Sequence, residues 1–318
     1  MLALLTLLTA CAGVTTPPPD RAATELVAVP FFPQAEYQCG PAALATVLVH
    51  SGVTTTPEAL APEVYLPDRL GSLQLELRAS ARRAGRIPFT LPVGPEALLA
   101  ELEAGNPVLV LQNLGLRSLP RWHYAVVIGF EPAQQRIILR SGTERRRLER
   151  WSRFMASWER AGFWGLVIPQ PGKLPASGSA EHTARELARQ EAQLEPAVAR
   201  AGWERALVRW PGEADILFAT ANVRRAQGDP HGAAALYRRL LFTAPEHLAG
   251  RNNFADLLLS ASCPVAAAAV LPPTAEFVAG HPPPIRDTIT LTAADIASQL
   301  ATNPDDPAHC RELAGDLP

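Results

Sequence analysis

The chain has 318 residues, enough for two domains with separate cores, and 47% of them are hydrophobic against 19% charged, which excludes a disordered polyelectrolyte. Its 29 Lys and Arg nearly balance 31 Asp and Glu, and no long block of one sign occurs, so it lacks the electrostatic footprint of a nucleic-acid binder. Thirty-one prolines fit stiff loops between folded elements.

The first eleven residues, MLALLTLLTAC, are an apolar run too short to span a bilayer and of the length of a signal-peptide core. The run ends in Leu8-Thr9-Ala10-Cys11, which resembles the lipobox of bacterial lipoproteins, with a plain secretory signal as the alternative. The resemblance implies that Cys11 is lipidated, that the lipid is the only membrane attachment, and that the chain lies on the periplasmic face of the outer membrane. Residues 12–25, with TTPPPDRAAT, read as an extended tether.

A first domain is expected over residues 26–170. After Cys39-Gly40-Pro41, the run AALATVLVHSG has the composition of a buried helix with a glycine stop at Gly52. TPEALAPEVYLP, GSLQLELRASARRAG and GPEALLAELEAGNP supply three more helical stretches. PVLVLQN, WHYAVVIGFEP, RIILRSG and GFWGLVIP are short β-branched runs between turn residues. Helices followed by strands predict an α+β domain, N-terminal helices packed on an antiparallel sheet.

Residues 171–180 are a Pro, Gly and Ser-rich linker, and the composition beyond them is helical. Over 181–281, Ala199, Ala233 and Ala267 are 34 residues apart, as are Trp203, Tyr237 and Leu271, Pro211 and Pro245, and Leu207 and Leu241. That period resembles tetratricopeptide repeats, in which each helix pair buries its face on the next, and it implies an all-α second domain; an unrelated array of α-hairpins is the alternative. Residues 282–318 are expected to cap it. In an oxidising compartment Cys263 and Cys310 are expected to pair, closing a loop of 47 residues. Cys39 then remains as the unexplained thiol.

A helix N-terminus carries partial positive charge, which favours thiolate at Cys39. The first domain offers two histidines as a base. His50 lies eleven residues along the same helix, about 16 Å away and out of reach. His123 opens the run HYAVVIGF, and a strand there can bring imidazole to thiol. Gln34, five residues before the cysteine, offers an amide to an oxyanion beside the backbone N–H of Cys39, with Gln38 a poorer substitute.

QAEYQCGPAA around Cys39 and WHYAVVIGF around His123 together resemble the bacteriocin-processing, double-glycine-leader peptidases and their stand-alone relatives, papain-like cysteine peptidases. The resemblance spans about residues 26–168. It implies Cys39 as nucleophile, His123 as base, Gln34 as oxyanion residue and a peptide or protein as substrate. With the repeats and the lipobox, the chain further resembles a lipoprotein subgroup of these proteins, whose repeats would hold a protein partner. Where that family commonly has Asp-Pro after the histidine strand, this chain has Ser141-Gly142. Ser141, or Asn113 at the end of the neighbouring run, is left to orient the imidazole, and neither brings a carboxylate.

The expected activity is therefore hydrolysis of a peptide bond by a thiol peptidase. A binding or assembly protein on a peptidase-derived fold, catalytically weak or inactive, is the reading from a different class. A cell-wall-cleaving papain-like lipoprotein ranks third, since Asp-Cys-Ser and His-Val-Gly are absent. No cofactor is implied, and no His or Cys pair has close metal-ligand spacing apart from His309 beside Cys310.

Overall fold

The computed structural model describes residues 21–34, 38–271, 283–303 and 307–315. Cys11, the lipobox, most of the expected tether and the end of the third repeat lie outside them. The chain divides into two compact units, Met1–Ser179 and Ala180–Pro318.

In the first unit, β1 (Thr24–Glu25) precedes α1 (Cys39–His50), α2 (Pro57–Val64) and α3 (Gln74–Arg83). α1 is buried along Gly40–Leu48 and ends where Gly52 takes φ +90°, a left-handed turn that glycine makes without strain. α2 starts on Thr56, whose side chain accepts from the Ala59 N–H, with Pro57 as first helical residue. β2 (Phe89–Thr90), α4 (Pro95–Glu103), β3 (Val108–Asn113), β4 (Trp122–Glu131), β5 (Arg136–Ser141), β6 (Glu144–Arg150), α5 (Trp151–Glu159) and β7 (Gly165–Val167) follow.

The sheet is antiparallel in the order β2-β7-β3-β4-β5-β6, and β1 pairs with β4. Strand alternation assigns its two faces. Leu109, Leu111, Tyr124, Val126, Ile128 and Ile138 pack with α1, α2 and α3. Val108, Val110, Ala125, Val127 and Leu139 pack with α4 and α5. Helices therefore cover both faces, whereas the sequence places them all ahead of the sheet. The later helix, α5, buries Trp151, Phe154, Met155 and Trp158, an i, i+3, i+4, i+7 stripe. β6, with the sequence ERRRLER, is an edge strand whose charges discourage further pairing.

Glu101 on α4 is fully buried, and its carboxylate accepts from Asn106 Nδ2, from the Ala176 and Ser177 N–H groups and from Ser177 Oγ. It fastens the end of this unit to α4.

The second unit is helical: α6 (Ala180–Ala188), α7 (Pro196–Arg209), α8 (Ala214–Ala226), α9 (Pro230–Thr243), α10 (Leu248–Ser260), α11 (Pro264–Val270), α12 (Pro283–Thr302) and α13 (Cys310–Ala314). α7, α9 and α11 each begin with proline, at 196, 230 and 264, so the 34-residue period of the sequence is the period of the helices. Ala199, Ala233, Ala267, Trp203, Tyr237, Leu271, Leu207 and Leu241 are all buried. Pro211 and Pro245 follow the ends of α7 and α9, where proline cannot continue a helix. Cys263, at the N-terminus of α11, is bonded to Cys310, the first residue of α13.

Candidate active site

The site is built where the N-terminus of α1 meets the start of β4. Gly40 makes the approach possible, because a Cβ there would overlap Ser72 Oγ and lie 2.5 Å from Ser72 Cβ. The Tyr124 hydroxyl donates to Ser72 O at 3.2 Å, and its ring meets Trp164 edge-on at 5.9 Å. Ser72, Gly40 and Tyr124 thus lock the helix start onto the strand.

Cys39 is half-buried and is the free cysteine among the described residues. Burial pushes its thiol up from the ordinary value, and backbone N–H groups of Tyr124, Gly40 and Cys39 itself pull it back. Two of those N–H groups belong to the first turn of α1, where no helical carbonyl claims them. The third belongs to the residue after His123. The Cys39 sulfur therefore lies one peptide unit from the imidazole-bearing residue, and no hydrogen bond between thiol and ring occurs among the described residues.

The His123 Nε2 is 2.8 Å from Ser141 Oγ, the side chain ending β5. Burial, and next the charge of Arg147, lower its pKa from 6.5 to about 4. At neutral pH the ring is uncharged, and the thiol, raised by burial, is protonated. The resting pair is neutral.

Gln34 spans the gap between these elements. Its N–H donates to Gly142 O at 2.9 Å, its Oε1 accepts from the Gly142 N–H at 3.0 Å, and its Nε2 donates to Tyr124 O at 3.3 Å. One amide hydrogen stays free of described partners. Gln38 stands at the N-cap of α1 without a side-chain capping bond.

Asn113 is placed elsewhere. Its Oδ1 accepts from the N–H groups of Gly115 and Arg121, both at 2.9 Å, and its Nδ2 donates to Leu116 O. Of the two residues weighed for orienting the ring, Ser141 touches it and Asn113 builds the β3–β4 loop. His50 contacts Gly105 O at 3.2 Å, at the far end of α1.

No protein-family model matches the chain, and no curated protein matches it. Among solved structures, the chain is similar to a protein described as a C39-like peptidase from Bacillus anthracis, with 17% identity and a TM-score of 0.40 over 47% of this chain and 98% of that one. It is also similar to a double glycine motif protease from an AMS/PCAT transporter, solved in complex with the leader peptide, with 19% identity and a TM-score of 0.34 over 47% of this chain and 100% of the other.

Arg147 is the residue that sequence reasoning misses. It pairs with Leu139 across β5 and β6, and its charge bears on His123. Its signal is faint, one cation in a charged run. In the second unit, Cys263, His309 and Cys310 form a cluster compact enough for a metal. His309 Nε2 lies 3.7 Å and 3.8 Å from the two sulfurs and 2.9 Å from Ala261 O. A disulfide sulfur is not a thiolate, so the oxidised cluster offers one imidazole and does not fit a metal ion.

Proposed function

We propose that the protein is a cysteine peptidase in which Cys39 is the nucleophile and His123 the general base. The observation that carries this reading is the pair of contacts on either side of one peptide bond: His123 held by Ser141, and the Cys39 sulfur facing the Tyr124 N–H. The Nε2 contact with Ser141 leaves Nδ1 to take the thiol proton. Sulfur then adds to the carbonyl carbon of the scissile bond, and the oxyanion takes the Cys39 N–H and the spare Gln34 amide hydrogen. Collapse breaks the C–N bond as the imidazolium protonates the leaving amine. The ring next deprotonates a water that attacks the thioester, and the acid leaves as the thiol is restored.

In this reading the chain is a lipoprotein held by Cys11 on the periplasmic face of the outer membrane. No helix among the described residues is long and apolar enough to cross a membrane. The second unit acts as tetratricopeptide repeats that hold a protein or peptide partner, a role supported by the 34-residue helix period. The deciding experiment incubates wild type and Cys39→Ala with a periplasmic proteome and compares new N-termini. Termini made by wild type alone support the peptidase; identical sets refute it.

A second reading is favoured by the neutral resting pair: a binding or assembly protein whose site has lost its carboxylate. Alkylation of Cys39 at neutral pH, mapped by peptide mass, separates the two. A rate well above that of a model thiol supports catalysis, and an inert thiol supports binding.

A further inference from the structure

The loop joining β3 to β4, residues 114–121, and the following Trp122 have a composition that catalysis does not explain. Leu114, Leu116, Leu119 and Trp122 expose 42%, 70%, 73% and 56% of their surface, although four large apolar groups within nine residues would ordinarily be covered. The loop is nonetheless firmly built. Leu114 N–H donates to Arg121 O at 2.8 Å, Asn113 takes two further N–H groups, and it also donates to the Leu116 carbonyl. Gly115 is required for this closure, since a Cβ there would overlap Leu119 O and lie 3.0 Å from Arg121 N.

The two ends of the loop are thus fixed by hydrogen bonds while its four large apolar side chains face outward, the presentation of a segment that meets an acyl boundary. Charge narrows the occupant further. Arg117 and Arg121 are exposed, no carboxylate pairs with either among the described residues, and no Asp or Glu occurs between Glu103 and Glu131. Leucine and tryptophan at a tip, flanked by unpaired arginine, match the acyl boundary and phosphates of an anionic bilayer.

We propose that residues 114–122 are a membrane-contact element that binds the interface of an anionic phospholipid bilayer. It would be an attachment additional to a lipid anchor. Because Trp122 precedes His123, binding sets the candidate site against the bilayer surface and favours substrates presented there. The proposal does not depend on peptidase activity.

The test uses the full chain with vesicles of phosphatidylcholine, alone or mixed with phosphatidylglycerol. Variants are the exposed pairs Leu116→Ser/Leu119→Ser and Arg117→Gln/Arg121→Gln. Partitioning of the leucine variant should fall about tenfold or more on both vesicle types. The arginine variant should lose about fivefold per residue on the mixed vesicles only, and high salt should mimic it. Brominated lipid should quench wild type more than Trp122→Phe. Equal partitioning of all forms, through the N-terminal segment alone, overturns the proposal. Slower cleavage of a soluble peptide by the leucine variant with unchanged vesicle binding also overturns it, and makes the loop a peptide subsite.

Discussion

Ser141→Asp tests the central electrostatic argument. The substitution puts a carboxylate where Ser141 Oγ stands 2.8 Å from His123 Nε2, within the field of the Arg147 charge that bears on the ring. A carboxylate so placed raises an imidazole by about one to three pH units, which moves His123 from about 4 into the range of about 5 to 7. The wild-type depression carries a stability consequence. Between pH 6.5 and about 4 the unfolded chain binds a proton at this histidine that the folded chain does not. Stability from this group is therefore complete above pH 6.5 and falls by about 3 kcal/mol as pH drops to about 4. In the variant that acid-side loss should shrink by about 1.4 kcal/mol for each pH unit regained. Histidine NMR titration gives the value directly, and urea unfolding from pH 7 to pH 4 gives the slope. If the enzyme is active, the acid limb of kcat/KM should move up with the ring, and the rate should rise about tenfold or more as imidazolium is stabilised. A wild-type His123 that titrates near 6.5, or a variant whose titration matches wild type, refutes the reasoning.

Two further predictions concern construction. Gly40→Ala should cost about 1–3 kcal/mol in chemical denaturation because Ser72 must move, and adding Ser72→Gly should return most of it; an unchanged midpoint in the single variant contradicts the close approach. Reducing the Cys263–Cys310 bond, which closes 47 residues, should lower the stability of the helical unit by about 4 kcal/mol, read as a drop in its urea midpoint with dithiothreitol, while Cys263→Ser/Cys310→Ser should be insensitive to the reductant.

Much of this molecule is legible in its sequence, for identifiable reasons. The helix at Cys39, the strands from Val108 to Ser141 and the period of 34 residues all follow from local composition, because burial imposes it residue by residue. β6 is not legible, since ERRRLER holds its place by backbone pairing with β5, and the buried Glu149 and the ion pairs of Arg146 do not show in a charged run without apolar alternation. α5 is a helix that the sequence reading does not expect, although its apolar residues keep the helical period, and its place on the face opposite α1 is a tertiary fact. At the site, strand order brings the ends of both neighbours, Asn113 and Ser141, alongside β4, so sequence leaves both open; the choice of Ser141 is not legible, because it depends on how residues 114–121 close and take up Asn113. Nor is the uncharged imidazole visible, since its causes are burial and a cation twenty-four positions away.

The turn after β5 limits which exchanges the site accepts. Gly142 sits at φ +60° and gives its N–H to Gln34 Oε1, while its neighbour Ser141 holds the imidazole. Proline has neither that N–H nor access to that φ. A proline at 142 therefore removes one of the three hydrogen bonds that fix Gln34 and forces the turn to rebuild, whereas an exchange at 141 leaves the backbone of the turn as it is.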